Sequence, residues 1–104
     1  MLKEINTIPI LPELISTHNL IRPFIHKTPV LSSLSITEQI GCKVYFKCEN
    51  MQKIGAFKFR GATNSLLTLT FEEKQYGVAT HSSGNHAAAL SLAAKLRGVK
   101  SYIV

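Results

Sequence analysis

The chain has 104 residues, 45% of them apolar, with a net charge of +6 and an isoelectric point near 9.6. That apolar content supports a packed core and excludes an intrinsically disordered chain. The basic residues are dispersed and no aromatic–basic RNA motif accompanies them, so a solvated basic surface is expected rather than a nucleic-acid binder.

In chain order, residues 1–10 read as a loosely ordered lead-in. Glu4 and Asn6 interrupt the start, so no basic-then-apolar signal peptide is formed. No apolar stretch approaches the ~20 residues of a membrane span, and a cytoplasmic protein without membrane contact is expected. Leu11 to Phe24 predicts a helix, with Leu11, Leu14, Ile15, Leu20, Ile21 and Phe24 near helical spacing. Pro12 suits its first turn and Pro23 opposes its continuation. Thr28-Pro29-Val30-Leu31 is extended, because the residue before a proline avoids the helical region. Ser33 to Ile40 predicts a short helix stopped by Gly41, and Lys43 to Cys48 a strand. Cys42 and Cys48 would share one face of that strand-like segment, too far apart along it for a disulfide. Two reduced, partly buried thiols are expected. His81 and His86 complete no zinc spacing, so no metal site is expected. Residues 49–57 read as a loop around Gly55.

A helix from Lys58 to Leu69 follows, then a strand from Gly77 to Thr80. An alanine-rich helix runs from Asn85 to Arg97 and Gly98 ends it; a strand runs from Lys100 to Val104. Strands alternating with helices predict an α/β fold, with helices packed on a short parallel sheet. The chain stops within the apolar run Tyr102-Ile103-Val104, which reads as the front part of something longer, incomplete at its C-terminus.

Two segments carry chemistry. In Gly55-Ala56-Phe57-Lys58-Phe59-Arg60-Gly61-Ala62 a lysine stands between two aromatics with glycines close by. A lysine kept from water has a lowered pKa and becomes a nucleophilic amine able to form an imine. The same pattern also suits an amphipathic helix start with Lys58 snorkelling. In His81-Ser82-Ser83-Gly84-Asn85-His86 a polar turn precedes a helix. Free N–H groups at a helix start bind a carboxylate or phosphate, and Ser82, Ser83 and Asn85 add donors. Ordinary N-capping is the alternative. There is no Gly-x-Ser-x-Gly, Gly-x-Gly-x-x-Gly or Walker loop, and no aspartate exists to complete a hydrolytic triad.

The run Lys47 to Ala62 resembles the lysine signature of the pyridoxal-phosphate serine/threonine dehydratase and serine racemase family. Thr80 to Ala87 resembles its substrate-carboxylate loop, and Ile21 to Leu31 the segment that opens its members. The resemblance implies a fold-type II enzyme of which this chain is the N-terminal portion. Residues 1–76 would belong to the larger domain and 77–104 would begin the smaller one. It implies pyridoxal 5'-phosphate carried by Lys58, with Phe57 near its ring and Asn85 on its phenolic oxygen. Ser82, Ser83, Asn85 and His86 would cradle the substrate carboxylate. The family's glycine-rich phosphate loop would lie beyond Val104. The activity implied first is dehydration of L-threonine or L-serine to a keto acid and ammonia, in a homo-oligomer at full length. Serine racemisation, with Ser83 as the acid/base opposite Lys58, is the alternative within the family. A non-catalytic interaction module is the alternative outside it. The 104 residues alone are expected to be inactive.

Overall fold

The computed structural model describes residues 8–104. Residues 1–7, most of the expected lead-in, lie outside the described residues, as do Glu4 and Asn6.

Helix α1 spans Leu11–Ile21, with Pro12 in its first turn and the Glu13 carboxylate accepting the Ile10 N–H at 2.9 Å. It stops short of the expected Phe24 because Pro23 opens a 3-10 turn over Arg22–Phe24. The apolar stripe of α1 is not core: Leu11, Leu14, Ile15 and Leu20 are exposed and Ile21 is buried. Strand β1 covers Val30–Ser32, helix α2 Leu34–Ile40 and strand β2 Tyr45–Lys47. The Ser33 hydroxyl accepts from the Ile36 N–H to cap α2, and Gly41 ends it at φ 73°.

The pairing of β1 with β2 corrects the expectation of a purely parallel sheet. They run antiparallel, Val30 opposite Lys47 and Ser32 opposite Tyr45. A parallel pair needs a crossover laid over the sheet face, and α2 does not pack across this pair. Cys42 also departs from expectation. It precedes β2 in a bend and is exposed, so only Cys48 is partly buried; both thiols are free.

The second half follows the α/β rule. Strand β3, Val78–Thr80, and strand β4, Ser101–Ile103, pair in parallel, and helix α5, Asn85–Arg97, is the crossover between them. Before β3 stand helix α3, Lys58–Thr68, and a helix the sequence reading missed, α4, Phe71–Tyr76. A capping box starts α4: the Thr70 hydroxyl accepts from the Glu73 N–H, and the Glu73 carboxylate accepts the Thr70 N–H at 2.7 Å. Those bonds from Thr70, the backbone one foremost, hold the Glu73 carboxyl below its ordinary range. Gly77 then takes φ 84°, and a Cβ there would come within 2.7 Å of the Lys100 carbonyl oxygen, so glycine lets β3 start beside the lead-in to β4.

The core lies between α3 and α5. Phe59, Ala62 and Leu66 face Ala89, Leu90, Ala93 and Ala94, and Val99 closes the end. These positions recur every three or four residues, one stripe on each helix. The alanines of α5 let the two helices approach closely around the fully buried Phe59 and Leu66. Burial of each large side chain contributes about 1.5–3 kcal/mol.

Candidate active site

The segment leading into α3 is held by polar contacts. Two 3-10 turns, Glu49–Met51 and Lys53–Gly55, replace the expected open loop. Ile54 sits at φ 61°, a left-handed conformation that costs a β-branched residue about 1–3 kcal/mol. Around the turns, Arg60 grips Glu49 with both arms, Nε to Oε2 at 2.8 Å and Nη2 to Oε1 at 2.7 Å. The buried Thr28 donates its hydroxyl to Glu49 Oε1 at 2.6 Å. The Arg60 hydrogen bonds hold the Glu49 carboxyl at about 2, against the opposing pull of burial, and Thr28 adds to the lowering. The Arg60 guanidinium is raised from its ordinary value by the same pair. Gln52, 3% exposed, accepts the His26 N–H and donates to the His26 carbonyl, each at 2.9 Å. Lys53 donates to the Phe24 carbonyl and Lys47 to the Thr28 carbonyl, both at 2.7 Å. Residues 24–28 and 47–60 are thereby one unit.

Lys58 opens α3 and is exposed. Of the two readings left open for it, kept from water or snorkelling at a helix start, its exposure fits the second: its two aromatic neighbours point different ways. Phe59 is 1% exposed in the core, whereas Phe57 is 59% exposed. The Phe57 ring centroid lies 5.3 Å from Lys58 Nζ, within cation–π reach. Both line a cleft of about 490 Å³ together with Gly61, Ala62, Val78 and His86. A Cβ on Gly61 would meet nothing within 4 Å, so that wall is open space over the helix backbone. No hydrogen bond or ion pair among the described residues engages Lys58 Nζ, unlike Lys47 and Lys53.

The polar loop leads from β3 into α5. Ser82 donates its N–H to the Val104 carbonyl at 3.1 Å, and the Ser82 hydroxyl accepts the Gly84 N–H at 3.3 Å. Gly84 is the N-cap of α5 and no side chain caps the helix, so ordinary N-capping is not what these serines do. The Ala88 N–H bonds to the Gly84 carbonyl at 3.1 Å. The N–H groups of Asn85, His86 and Ala87 therefore have no intrahelical partner. A helix start in that state attracts anions. Ser83, Asn85 and His86 are exposed and Ser82 is half-buried.

Phe57, Lys58 and His86 share the cleft; Ser82, Ser83 and Asn85 are not among its lining residues, although they adjoin His86 along the chain. Gly61, one turn after Lys58 and among the glycines the sequence places close to that lysine, lies in the wall; Val78 also lines it and was not singled out from the sequence. Among the described residues, no group of three or more His, Cys, Asp or Glu could hold a metal ion, and no helix is long and apolar enough to cross a membrane.

A family model described as pyridoxal-phosphate dependent enzyme matches residues 21–104. Serine racemase of Arabidopsis thaliana is 60% identical over 87 residues, which are 84% of this chain and 26% of that protein. The structure of maize serine racemase superposes with a TM-score of 0.86 at 53% identity, covering 89% of this chain and 29% of the other. A threonine deaminase from T.th. superposes with a TM-score of 0.82 at 38% identity, covering 91% of this chain and 30% of the other. The chain spans about a quarter of the length of the Arabidopsis thaliana and Oryza sativa serine racemases it matches.

Proposed function

The chain belongs to the pyridoxal-phosphate-dependent enzyme family, whose fold-type II structures it shares, and on that premise we propose that Lys58 carries the cofactor in a site that removes the α-proton of a small hydroxy amino acid. The observation that carries this reading is the cleft in which the unengaged Lys58 amine and Phe57 meet His86 in the uncapped first turn of α5.

The residues present suit the reactive half of pyridoxal phosphate. A primary amine stands on the wall, an exposed aromatic ring lies beside it for stacking, and Gly61 leaves room over α3. Lys58, Phe57 and Asn85 would hold the cofactor. Bound there, it supplies an electron sink for the charge left on the substrate α-carbon. The chain's own residues do the rest. The first turn of α5, with Ser82, Ser83 and His86, holds the substrate carboxylate through N–H and side-chain donors. Once the substrate's own amine has replaced Lys58 on the cofactor, that grip would present the α-carbon to the freed Lys58 amine, which takes the proton as general base. Ser83 supplies a second hydroxyl able to move a proton.

Dehydration of L-threonine or L-serine is the first reading, resting on the likeness to threonine deaminase. Serine racemisation is the second, and the 60% identity to a serine racemase favours it equally. In active protein containing this segment, Ser83→Ala is expected to suppress racemisation at least about tenfold more than β-elimination, because elimination needs only the lysine-side base. Assaying D-serine and pyruvate side by side decides; equal loss of both products would mean that Ser83 only holds the carboxylate.

Residues up to 76 are read as part of a larger domain and 77–104 as the start of a smaller one, in a cytoplasmic homo-oligomer. Gly61→Leu tests the cleft itself. Leucine is the better helix former by about 0.5–1 kcal/mol and meets no protein atom at its Cβ, so stability holds or rises. Its side chain fills the cleft, so pyridoxal-phosphate uptake followed by absorbance falls. Unchanged uptake would place the cofactor elsewhere.

A further inference from the structure

A second cavity, of about 240 Å³, also lies between α3 and α5 and shares no lining residue with the Lys58 cleft. Phe24, Phe59 and Leu96 form apolar wall, and Lys53, Thr63 and Arg97 supply polar groups. Thr63 is 3% exposed and its Oγ1 is buried with no hydrogen-bond partner among the described residues. A helical threonine ordinarily returns its hydroxyl to a carbonyl one turn back, as Thr68 does to Asn64 at 3.0 Å in the same helix. A buried hydroxyl left unpaired is an unfavourable feature that calls for an occupant. Arg97 lies over Phe24, its guanidinium carbon 3.8 Å from the ring centroid. The one ion pair among the described residues joins Arg60 to Glu49, so no described acid pairs with Arg97. Lys53 gives one N–H to the Phe24 carbonyl and keeps two donors.

We infer that this cavity binds a small monocarboxylate with an apolar body. The planar guanidinium fork of Arg97 matches a carboxylate, Lys53 adds charge, and the Thr63 hydroxyl gains the acceptor it lacks. Phe59 and Leu96 cover the body. Scaled from benzene in a dry cavity of about 150 Å³, the volume suits roughly six to nine non-hydrogen atoms. A phosphate dianion is disfavoured, because the largely apolar wall leaves most of its oxygens without donors.

The test titrates the full 104-residue chain with benzoate, benzamide and inorganic phosphate, by calorimetry and amide chemical shifts. Benzoate is expected to saturate, with shifts grouped at Thr63, Leu96 and Arg97, and benzamide to bind at least about tenfold more weakly. Arg97→Gln should lower benzoate affinity about tenfold. Thr63→Val should weaken it severalfold without lowering the melting temperature, since the hydroxyl has no partner in the free protein. Absence of saturable benzoate binding, benzamide binding as well as benzoate, preferred phosphate binding, or shifts grouped at Lys58 would each overturn the assignment. So would a lower melting temperature in Thr63→Val with benzoate affinity intact, which would make the hydroxyl structural. Should Arg97→Gln fail to fold, Thr63→Val and the benzamide comparison still decide.

Discussion

Lys58→Ala is expected to abolish specific capture of pyridoxal phosphate and, in active protein containing this segment, to lower turnover by at least ~10²–10⁴-fold, the range for loss of a positioned base. Borohydride reduction followed by peptide mapping reads the first effect, and a threonine-dependent ammonia assay the second. The rival amines are already occupied, Lys47 by the Thr28 carbonyl and Lys53 by the Phe24 carbonyl, each at 2.7 Å. Lys58 has no such bond among the described residues and sits beside Phe57. A reduced cofactor found mainly on Lys47 or Lys53 would defeat the assignment. The 104 residues by themselves are expected to capture the cofactor weakly and to turn over no threonine. An amine without donors for the phosphate leaves the group poorly oriented, and orientation accounts for several kcal/mol of a barrier.

Glu49→Gln is expected to destabilise the fold by on the order of 2–3 kcal/mol and to remove one component of its acid sensitivity. The carboxyl is held at about 2 in the folded chain against 4.5 unperturbed, and it is partly exposed, so part of that difference is lost to solvent screening. A depressed folded pKa sets the sign. The contribution is full above about 4.5 and fades as the pH falls through about 2. Removing the charge also leaves the Arg60 guanidinium, three-quarters buried, without its partner. Denaturant melts between pH 7 and 2 should show the wild type losing stability through that window and the variant losing less. Coincident curves would show that the Glu49–Arg60 pair contributes nothing to folding.

Where local chemistry decides structure, the sequence was legible. The bounds of α5 follow from an alanine-rich run stopped by Gly98, and α3 begins at Lys58 as read, ending one residue earlier than expected at Thr68. The βαβ unit formed by β3, α5 and β4 follows from the same alternation. Helix α4 was missed although Thr70 and Glu73 spell a capping box, because six residues show too little periodicity. The antiparallel β1–β2 pair was not legible, since the direction of a pair depends on where α2 packs and not on strand composition. Within the site, the sequence placed aromatics on both sides of Lys58, but adjacent helical positions diverge by about 100°. Only packing reveals that Phe59 serves the core and Phe57 the cleft. Glu49 and Gln52 stood inside the quoted signature with no role attached, because their partners Thr28 and His26 are 21 and 26 residues away.

Gln52 therefore does the work of a neighbouring strand. Its carboxamide meets both the N–H and the carbonyl of His26, as a peptide on an adjacent strand would, in a segment that has no strand beside it. A glutamate could not donate and a leucine could do neither, so this position is specified by hydrogen-bonding capacity and not by size or hydropathy. The clasp closes 26 residues of chain through one side chain. Loop closure of that length is unfavourable until other contacts bring the ends together. The helix pair α3 and α5 can collapse first, and the clasp then locks the opening segment against it as a late event in folding.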